Sequence, residues 1–285
     1  MKKNVVVMGK IFCLIILSLA LSACNFILFD PKGPVASTQM TLIIVTTLVM
    51  LIVVIPVTIM GVWFPYRYRK SNTKHEYKPD WEHSNKIEAV VWTIPILIII
   101  VLGVITYITS FSLDPRKPIE SDKPAIVVQV VAMDWKWLFI YPEHEIATVN
   151  ELAIPVDVPV EFLVTSDTVM NSFFIPQLGS MIYAMSGMEN RLHLMATEPG
   201  IYPGYSANYS GFGFSGMKFD THASSEEEFQ QWLEAVKNAD NPLTDEVMTQ
   251  LRVKSRDVDP IRYSSVNPLL FSDVIERFTG AINGR

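Results

Sequence analysis

Between Gly204 and Met217 four side chains stand at a spacing that suits a metal-binding loop, yet only one is a soft donor. Ser206 and Ser210 are four residues apart, Phe214 follows four later and Met217 three after that. Thiolates at the first two positions and an imidazole at the third would favour a soft metal, whereas hydroxyls and a phenyl ring do not. The thioether of Met217 is a weak, long axial ligand that cannot hold copper alone. The five histidines, His75, His83, His144, His193 and His222, are scattered and offer no paired spacing that would rebuild such a site. These residue types therefore offer no soft-metal site in this loop.

Two further residues have chemical potential. Glu88 stands at the edge of the uncharged run Ala89 to Leu113. An ionisable group at a membrane edge that points into a bundle is a candidate for a proton route. Its plainer alternative is a solvated carboxylate in the first turn of a helix, which the helix dipole favours. The other is Cys24, one of only two cysteines with Cys13. With Cys13 in a leader, the mature chain keeps one thiol and cannot form an internal disulfide.

These residues must be positioned by a chain of 285 residues, net charge −6 and 49% hydrophobic content. Its mean hydropathy of +0.27 is high for a soluble protein and directs attention to membrane segments. There is no strongly basic domain and no nucleic-acid motif, so nucleic acid is not an expected partner. Residues 1–24 read as a lipoprotein signal peptide. Lys2, Lys3 and Lys10 form a basic start, Ile11 to Leu21 an apolar core, and Leu21-Ser-Ala-Cys24 resembles the lipobox at which bacterial lipoproteins are cut and acylated. The alternative is a plain buried cysteine in an uncleaved first helix.

Residues 25–118 hold an N-terminal segment and two spans, about 40–64 and 89–113. Both exceed the roughly 20 residues needed to cross a bilayer as a helix. Pro56 and Pro95 lie inside them. The connection holds Arg67, Arg69, Lys70, Lys74, Lys78 and Lys86, whereas the short segment between Cys24 and the first span has only Lys32. The positive-inside rule makes that loop cytoplasmic and puts both ends of the mature chain outside, in agreement with a lipidated Cys24.

From about Ile119 the composition becomes that of a soluble β-domain. Residues 119–222 read as a small antiparallel sandwich, with strand-like runs at Ala125–Val131, Trp135–Tyr141, Val158–Val164 and Arg191–Ala196. Residues 223–285 switch to helical patterning. Ser224 and Glu227 resemble a capping box, and Phe229, Trp232, Leu233 and Val236 share a helical face. Thr244 to Leu251 suggests a second helix, and Pro268 to Thr279, stopped by Gly280, a third.

Several motifs, in order and in this topology, carry a family resemblance. They are Asp30-Pro-Lys-Gly-Pro34, His83-Ser-Asn-Lys-Ile-Glu-Ala-Val-Val-Trp-Thr-Ile-Pro95, Met133-Asp-Trp-Lys-Trp137, Val169-Met-Asn-Ser-Phe-Phe-Ile-Pro-Gln-Leu-Gly179, Tyr183-Ala-Met-Ser-Gly-Met188 and the loop ending at Met217. The chain resembles subunit II of the heme-copper quinol oxidases, most closely the cytochrome bo-type ubiquinol oxidases. The resemblance implies a two-helix transmembrane hairpin carrying an all-β, cupredoxin-like sandwich, with short C-terminal helices. In relatives fed by cytochrome c the outer domain holds a dinuclear copper. In that alignment Asn171 takes the place of the first ligand histidine, Ser206 and Ser210 those of the cysteines, Asn208 that of the carbonyl-donating glutamate and Phe214 that of the second histidine. The expectation is therefore no metal and no other cofactor in this chain, with hemes, copper and quinone in subunit I.

The resemblance further implies oxidase subunit I and other membrane subunits as partners, contact with the quinol pool through subunit I and with membrane lipid, and no docking of cytochrome c. It makes Glu88 a carboxylate at the mouth of a proton channel into subunit I, and Trp135 a packing residue in place of an electron relay. The implied location is a bacterial inner membrane, with the large domain in the periplasm. The implied activity is that of a non-redox subunit in a proton-pumping ubiquinol oxidase that reduces oxygen to water. A menaquinol oxidase subunit, a working copper subunit and a free-standing lipoprotein with a cupredoxin-like domain are the alternatives.

Overall fold

A computed structural model describes residues 27–72 and 81–283. Cys13, Cys24, His75, Lys74 and Lys78, and with them the signal peptide and lipidation site, lie outside the described residues. Two long helices come first, α1 (Pro34–Arg67) and α2 (Asn85–Ser112). At 1.5 Å per residue they are about 51 and 42 Å long, enough to cross a bilayer and project beyond it. They start and end a few residues from the expected span limits because the polar helix ends remain hydrogen-bonded beyond the apolar centres. Both are apolar all round and exposed along their length, the surface that a lipid or helical neighbour would cover. Near the basic connection the Arg67 guanidinium lies 4.6 Å over the Trp63 ring and that of Arg69 4.7 Å over Tyr66.

Thirteen strands follow among the described residues: β1 (Ile126–Met133), β2 (Lys136–Tyr141), β3 (Ile146–Val149), β4 (Glu151–Pro155), β5 (Val160–Ser166), β6 (Asn171–Phe174), β7 (Ile182–Ala184), β8 (Asn190–Leu194), β9 (Gly200–Ser206), β10 (Lys218–Ser224), β11 (Pro242–Leu243), β12 (Ile261–Tyr263) and β13 (Ser265–Val266). A six-stranded sheet in the order β12-β3-β2-β1-β5-β8 packs on a five-stranded one in the order β4-β10-β9-β6-β7. The sandwich is not purely antiparallel as expected. Strands β1 and β5 pair in parallel from Ile126↔Val160 to Ala132↔Ser166, and β4 and β10 are parallel too. Parallel pairing needs a crossover, and here the chain crosses to the second sheet through β4 before returning as β5.

The space between the sheets is filled by interlocking aromatics. Phe173 and Phe219 stack at 5.3 Å, Phe139 meets Phe219 edge-on at 5.0 Å, and Trp137 meets Phe173 at 5.5 Å. A second core lies on the outer face of the larger sheet, where Val131, Met133, Leu138 and Ile140 meet Met248, Leu270, Phe271 and Val274 of the C-terminal extension. Strands β1 and β2 are thus covered on both faces, which explains why β2 is a continuous apolar run after its first residue, Lys136.

The extension differs from the expectation in three ways. It is not purely helical, because β12 joins the larger sheet antiparallel to β3 and β11 pairs with β13. The capping box of α3 (Glu226–Lys237) is Ser225 with Glu228, one residue later than expected, since β10 continues through Ser224. Helix α4 (Asp245–Leu251) is capped by Thr244, whose side chain accepts from Val247, and α5 (Leu270–Asn283) runs through Gly280. One interior glycine costs a helix only about 1 kcal/mol.

The hairpin is fastened to the sandwich by the Asp30–Pro34 motif. The Lys32 N–H donates to the Gln177 carbonyl at 2.7 Å, and the Lys32 carbonyl accepts from Thr197 N–H at 2.8 Å. The Lys32 ammonium bridges Glu198 at 2.8 Å and Asp30 at 3.1 Å. Gly33 permits this approach, since a Cβ there would collide with the carbonyls of Met195 and Leu178. On the other span, the His193 N–H donates to the Pro115 carbonyl at 3.0 Å and its Nδ1 lies 3.1 Å from the same oxygen, pinning the exit of α2.

Candidate functional site

Strands β9 and β10 form a hairpin whose loop runs from Ala207 to Met217 and ends in a single 3-10 turn at Phe214–Gly216. Three of the six positions singled out in sequence come together. Ser206 is buried at the end of β9, with its hydroxyl 3.2 Å from both the Asn171 side-chain oxygen and the Asn208 carbonyl. The Asn171 amide donates to the Val169 carbonyl at 3.0 Å and that of Asn208 to the Met170 carbonyl at 3.3 Å. Of the remaining three, Met217 accepts from the Ser206 N–H at 3.2 Å through its carbonyl, but no side chain among them joins this group. Ser210 offers its carbonyl to Trp135, the Phe214 ring packs 5.7 Å from Tyr209, and Met217 is buried in the sandwich core.

Trp135 organises this loop. It lies in the turn between β1 and β2 with φ of 65°, not in a strand as its apolar surroundings suggested. Its indole N–H donates to the Ser210 carbonyl at 3.1 Å. Its ring lies against Gly211 and Gly213, where a Cβ on Gly213 would overlap the indole. Gly211 also has φ of +110°, a conformation that other residues rarely adopt. The loop is therefore shaped by an indole and two glycines and cross-tied by hydroxyl and amide groups.

The donor set does not suit copper. Two hydroxyls, two amides, a phenyl ring and one buried thioether provide neither thiolate nor imidazole. Among the described residues, no three His, Cys, Asp or Glu side chains cluster as a metal site would require.

Glu88 is in the first turn of α2, two residues after Lys86. Its carboxylate lies 3.3 Å from Nδ1 of His83, and both side chains are exposed in the isolated chain.

Sequence reasoning missed three buried charges on the sandwich that hold the C-terminal extension. Lys136 donates to the carbonyls of Leu251 at 2.6 Å and Val253 at 2.9 Å, capping the end of α4. Burial pulls its ammonium below the ordinary lysine range, against the pull of Asp134. Glu151 accepts two hydrogen bonds from Arg262, at 2.6 and 2.8 Å, and one from the Trp232 indole at 3.0 Å. Burial alone would push this carboxyl up, but the hydrogen bonds from Arg262 and Trp232 and the Arg262 charge together hold it below the ordinary carboxylate range. Asp167 pairs with Arg252 at 2.9 Å and Arg277 at 3.0 Å. The signal available in sequence was a charge set inside or beside an apolar run, as with Lys136 between two tryptophans.

Residues 142–224 match the family model described as cytochrome c oxidase subunit II, periplasmic domain. The chain is 54% identical over 261 residues to cytochrome bo(3) ubiquinol oxidase subunit 2 of Pseudomonas aeruginosa, covering 92% of this chain and 79% of that one. This chain belongs to the subunit II family of heme-copper ubiquinol oxidases. A ubiquinol oxidase subunit 2 of Acetobacter aceti is 52% identical over 269 residues, covering 93% of this subunit II and 87% of its own length. A quinol oxidase subunit 2 of Bacillus subtilis is 39% identical over 261 residues, with 90% and 81% covered. As a subunit II, the chain places a membrane hairpin beneath a periplasmic, cupredoxin-like sandwich.

Proposed function

We propose that this chain is the non-redox subunit II of a proton-pumping terminal oxidase that takes electrons from ubiquinol and reduces oxygen to water. The observation that carries this reading is the loop at Ser206, Ser210 and Phe214, which offers hydroxyl and phenyl groups where a copper centre needs thiolate and imidazole. Electrons then enter through subunit I, which holds the hemes, the copper and the quinone, and no cytochrome c docks on this domain. The higher identity to subunits named for ubiquinol than to those named for quinol alone supports ubiquinol as the donor.

The chain's own contribution is structural and protonic. Its hairpin packs against subunit I, and its sandwich caps that subunit on the periplasmic side. Glu88, with His83 beside it, gathers protons on the cytoplasmic side and delivers them towards subunit I. Cys24 is acylated after removal of the leader, adding an outer-leaflet tether to the two spans. No quinone or heme chemistry takes place on this chain.

Copper analysis of the full chain, expressed without its partners and supplied with copper, tests the reading at the loop. The expectation is no stoichiometric copper and no dinuclear copper spectrum, and a stoichiometric centre would contradict it. A mass measurement of the mature N-terminus tests Cys24; an unmodified chain starting at Met1 would refute acylation.

A further inference from the structure

A three-sided cleft of about 310 Å³ opens where the two spans meet the sandwich. One wall is the first turn of α1 as far as Thr38, the second is the end of α2 and its exit from Ser112 to Glu120, and the third is Ser180 and His193 of the sandwich. Its volume falls at the small end of ligand-sized clefts, roughly 300–1,000 Å³. On one side are apolar helices and on the other a polar domain, so the cleft sits at the outer headgroup level of the bilayer.

The charges of this lining are specific. Lys117, Asp114 and Glu120 are all exposed, and none forms an ion pair with another described residue. Asp114 does accept one hydrogen bond, from the Arg116 N–H at 2.9 Å. One cation and two carboxylates thus share the lining with the apolar side chains of Val35, Leu113 and Leu192.

We propose that this cleft binds the headgroup of one phosphatidylethanolamine molecule from the outer leaflet. The primary ammonium donates to Asp114 and Glu120, the phosphate accepts from Lys117, and the glycerol end rests on the apolar side chains. Charge-assisted hydrogen bonds of this kind are about twice as strong as neutral ones. A purely anionic headgroup would leave both carboxylates facing like charge, and a quaternary ammonium has no N–H to donate to them. The lipid would fill the joint at which the Lys32 and His193 contacts tie the spans to the sandwich.

The test uses the assembled complex, purified in detergent and exchanged into micelles containing phosphatidylethanolamine, phosphatidylglycerol or phosphatidylcholine at equal mole fraction. Native mass spectrometry reads the lipids retained per complex. The wild type is expected to keep one phosphatidylethanolamine that the Asp114→Asn/Glu120→Gln variant loses, with occupancy falling about tenfold or more. Lys117→Ala should lower it in the same way, while phosphatidylglycerol and phosphatidylcholine should not distinguish the chains. All three side chains are exposed, and an Asn at 114 keeps the acceptor for Arg116. Equal phosphatidylethanolamine occupancy in wild type and variants would overturn the proposal, as would equal or greater retention of either other lipid by the wild type. Coverage of the cleft by a partner subunit would give the first of these overturning results.

Discussion

Replacing Glu151 by Gln should loosen the C-terminal extension without unfolding the sandwich. Glu151 is buried on β4, and its side-chain hydrogen-bond partners lie in the extension: Arg262 on β12 and Trp232 on α3. A neutral amide keeps one acceptor and loses the charge that makes the Arg262 pair bidentate and strong. Breaking a buried pair costs about 3–5 kcal/mol when the remaining charge stays buried. Arg262 is 42% exposed, however, and can turn to water, which reduces the cost to about 2–3 kcal/mol. For a unit of this size about 2–4 °C is lost per kcal/mol, giving a fall in Tm of roughly 4–12 °C.

The sign with pH follows from the depressed carboxyl of Glu151. Its contribution is complete above the ordinary carboxylate pKa and is lost as pH falls through the lower folded value. Wild type and variant should therefore differ most near neutrality and converge well below pH 4.5. Thermal unfolding of the full chain in detergent, with hydrogen exchange at Ile261–Tyr263, reads both effects. A double-mutant cycle with Arg262→Ala isolates the pair. Unchanged Tm and unchanged protection of β12 at pH 7 would refute the reasoning, as would a difference that persisted undiminished in acid.

Other outcomes follow from the same structure. Lys136→Met leaves the Leu251 and Val253 carbonyls without their donor and should cost about 2–3 kcal/mol; hydrogen exchange across α4 would show it, and full protection would count against the cap. Because the Lys136 ammonium is depressed in the folded chain, stability should rise as pH climbs from its folded value towards the ordinary lysine range, and Lys136→Met should remove that slope from pH-dependent melting curves. Gly213→Ala drives a methyl into the Trp135 ring and should cost about 1–3 kcal/mol; a shifted tryptophan emission would report it, and an unaltered spectrum would mean that Trp135 does not shape the loop. Glu88→Ala in the assembled oxidase should slow oxygen uptake at unchanged heme content, and undiminished uptake would remove Glu88 from the proton route.

Both spans, the outer β-domain and the loop with unsuitable metal donors were legible in sequence because each rests on local pattern: long uncharged runs, alternating strands, residue types at fixed spacing. Features that depend on long-range pairing were not. The parallel β1–β5 pairing is set by a crossover through β4, and no alternation within either strand encodes it. The second core was hidden because the apolar outer faces of β1 and β2 meet α4 and α5 from more than a hundred residues away. Trp135 looked like part of a strand because its neighbours are apolar, yet its positive φ places it in a turn where the glycines of a distant loop receive it. Of the loop positions, only the grouping of Asn171, Ser206 and Asn208 needed the fold, since β6 and β9 must pair to bring them within hydrogen-bonding distance.

The central claim is that electrons reach this oxidase from quinol and not through the outer domain of this chain. It is tested most directly by oxygen uptake of the complex captured on a tag at the C-terminus of this subunit, assayed once with a ubiquinol and once with reduced cytochrome c. Uptake with ubiquinol alone is the predicted result; uptake driven by reduced cytochrome c would contradict it.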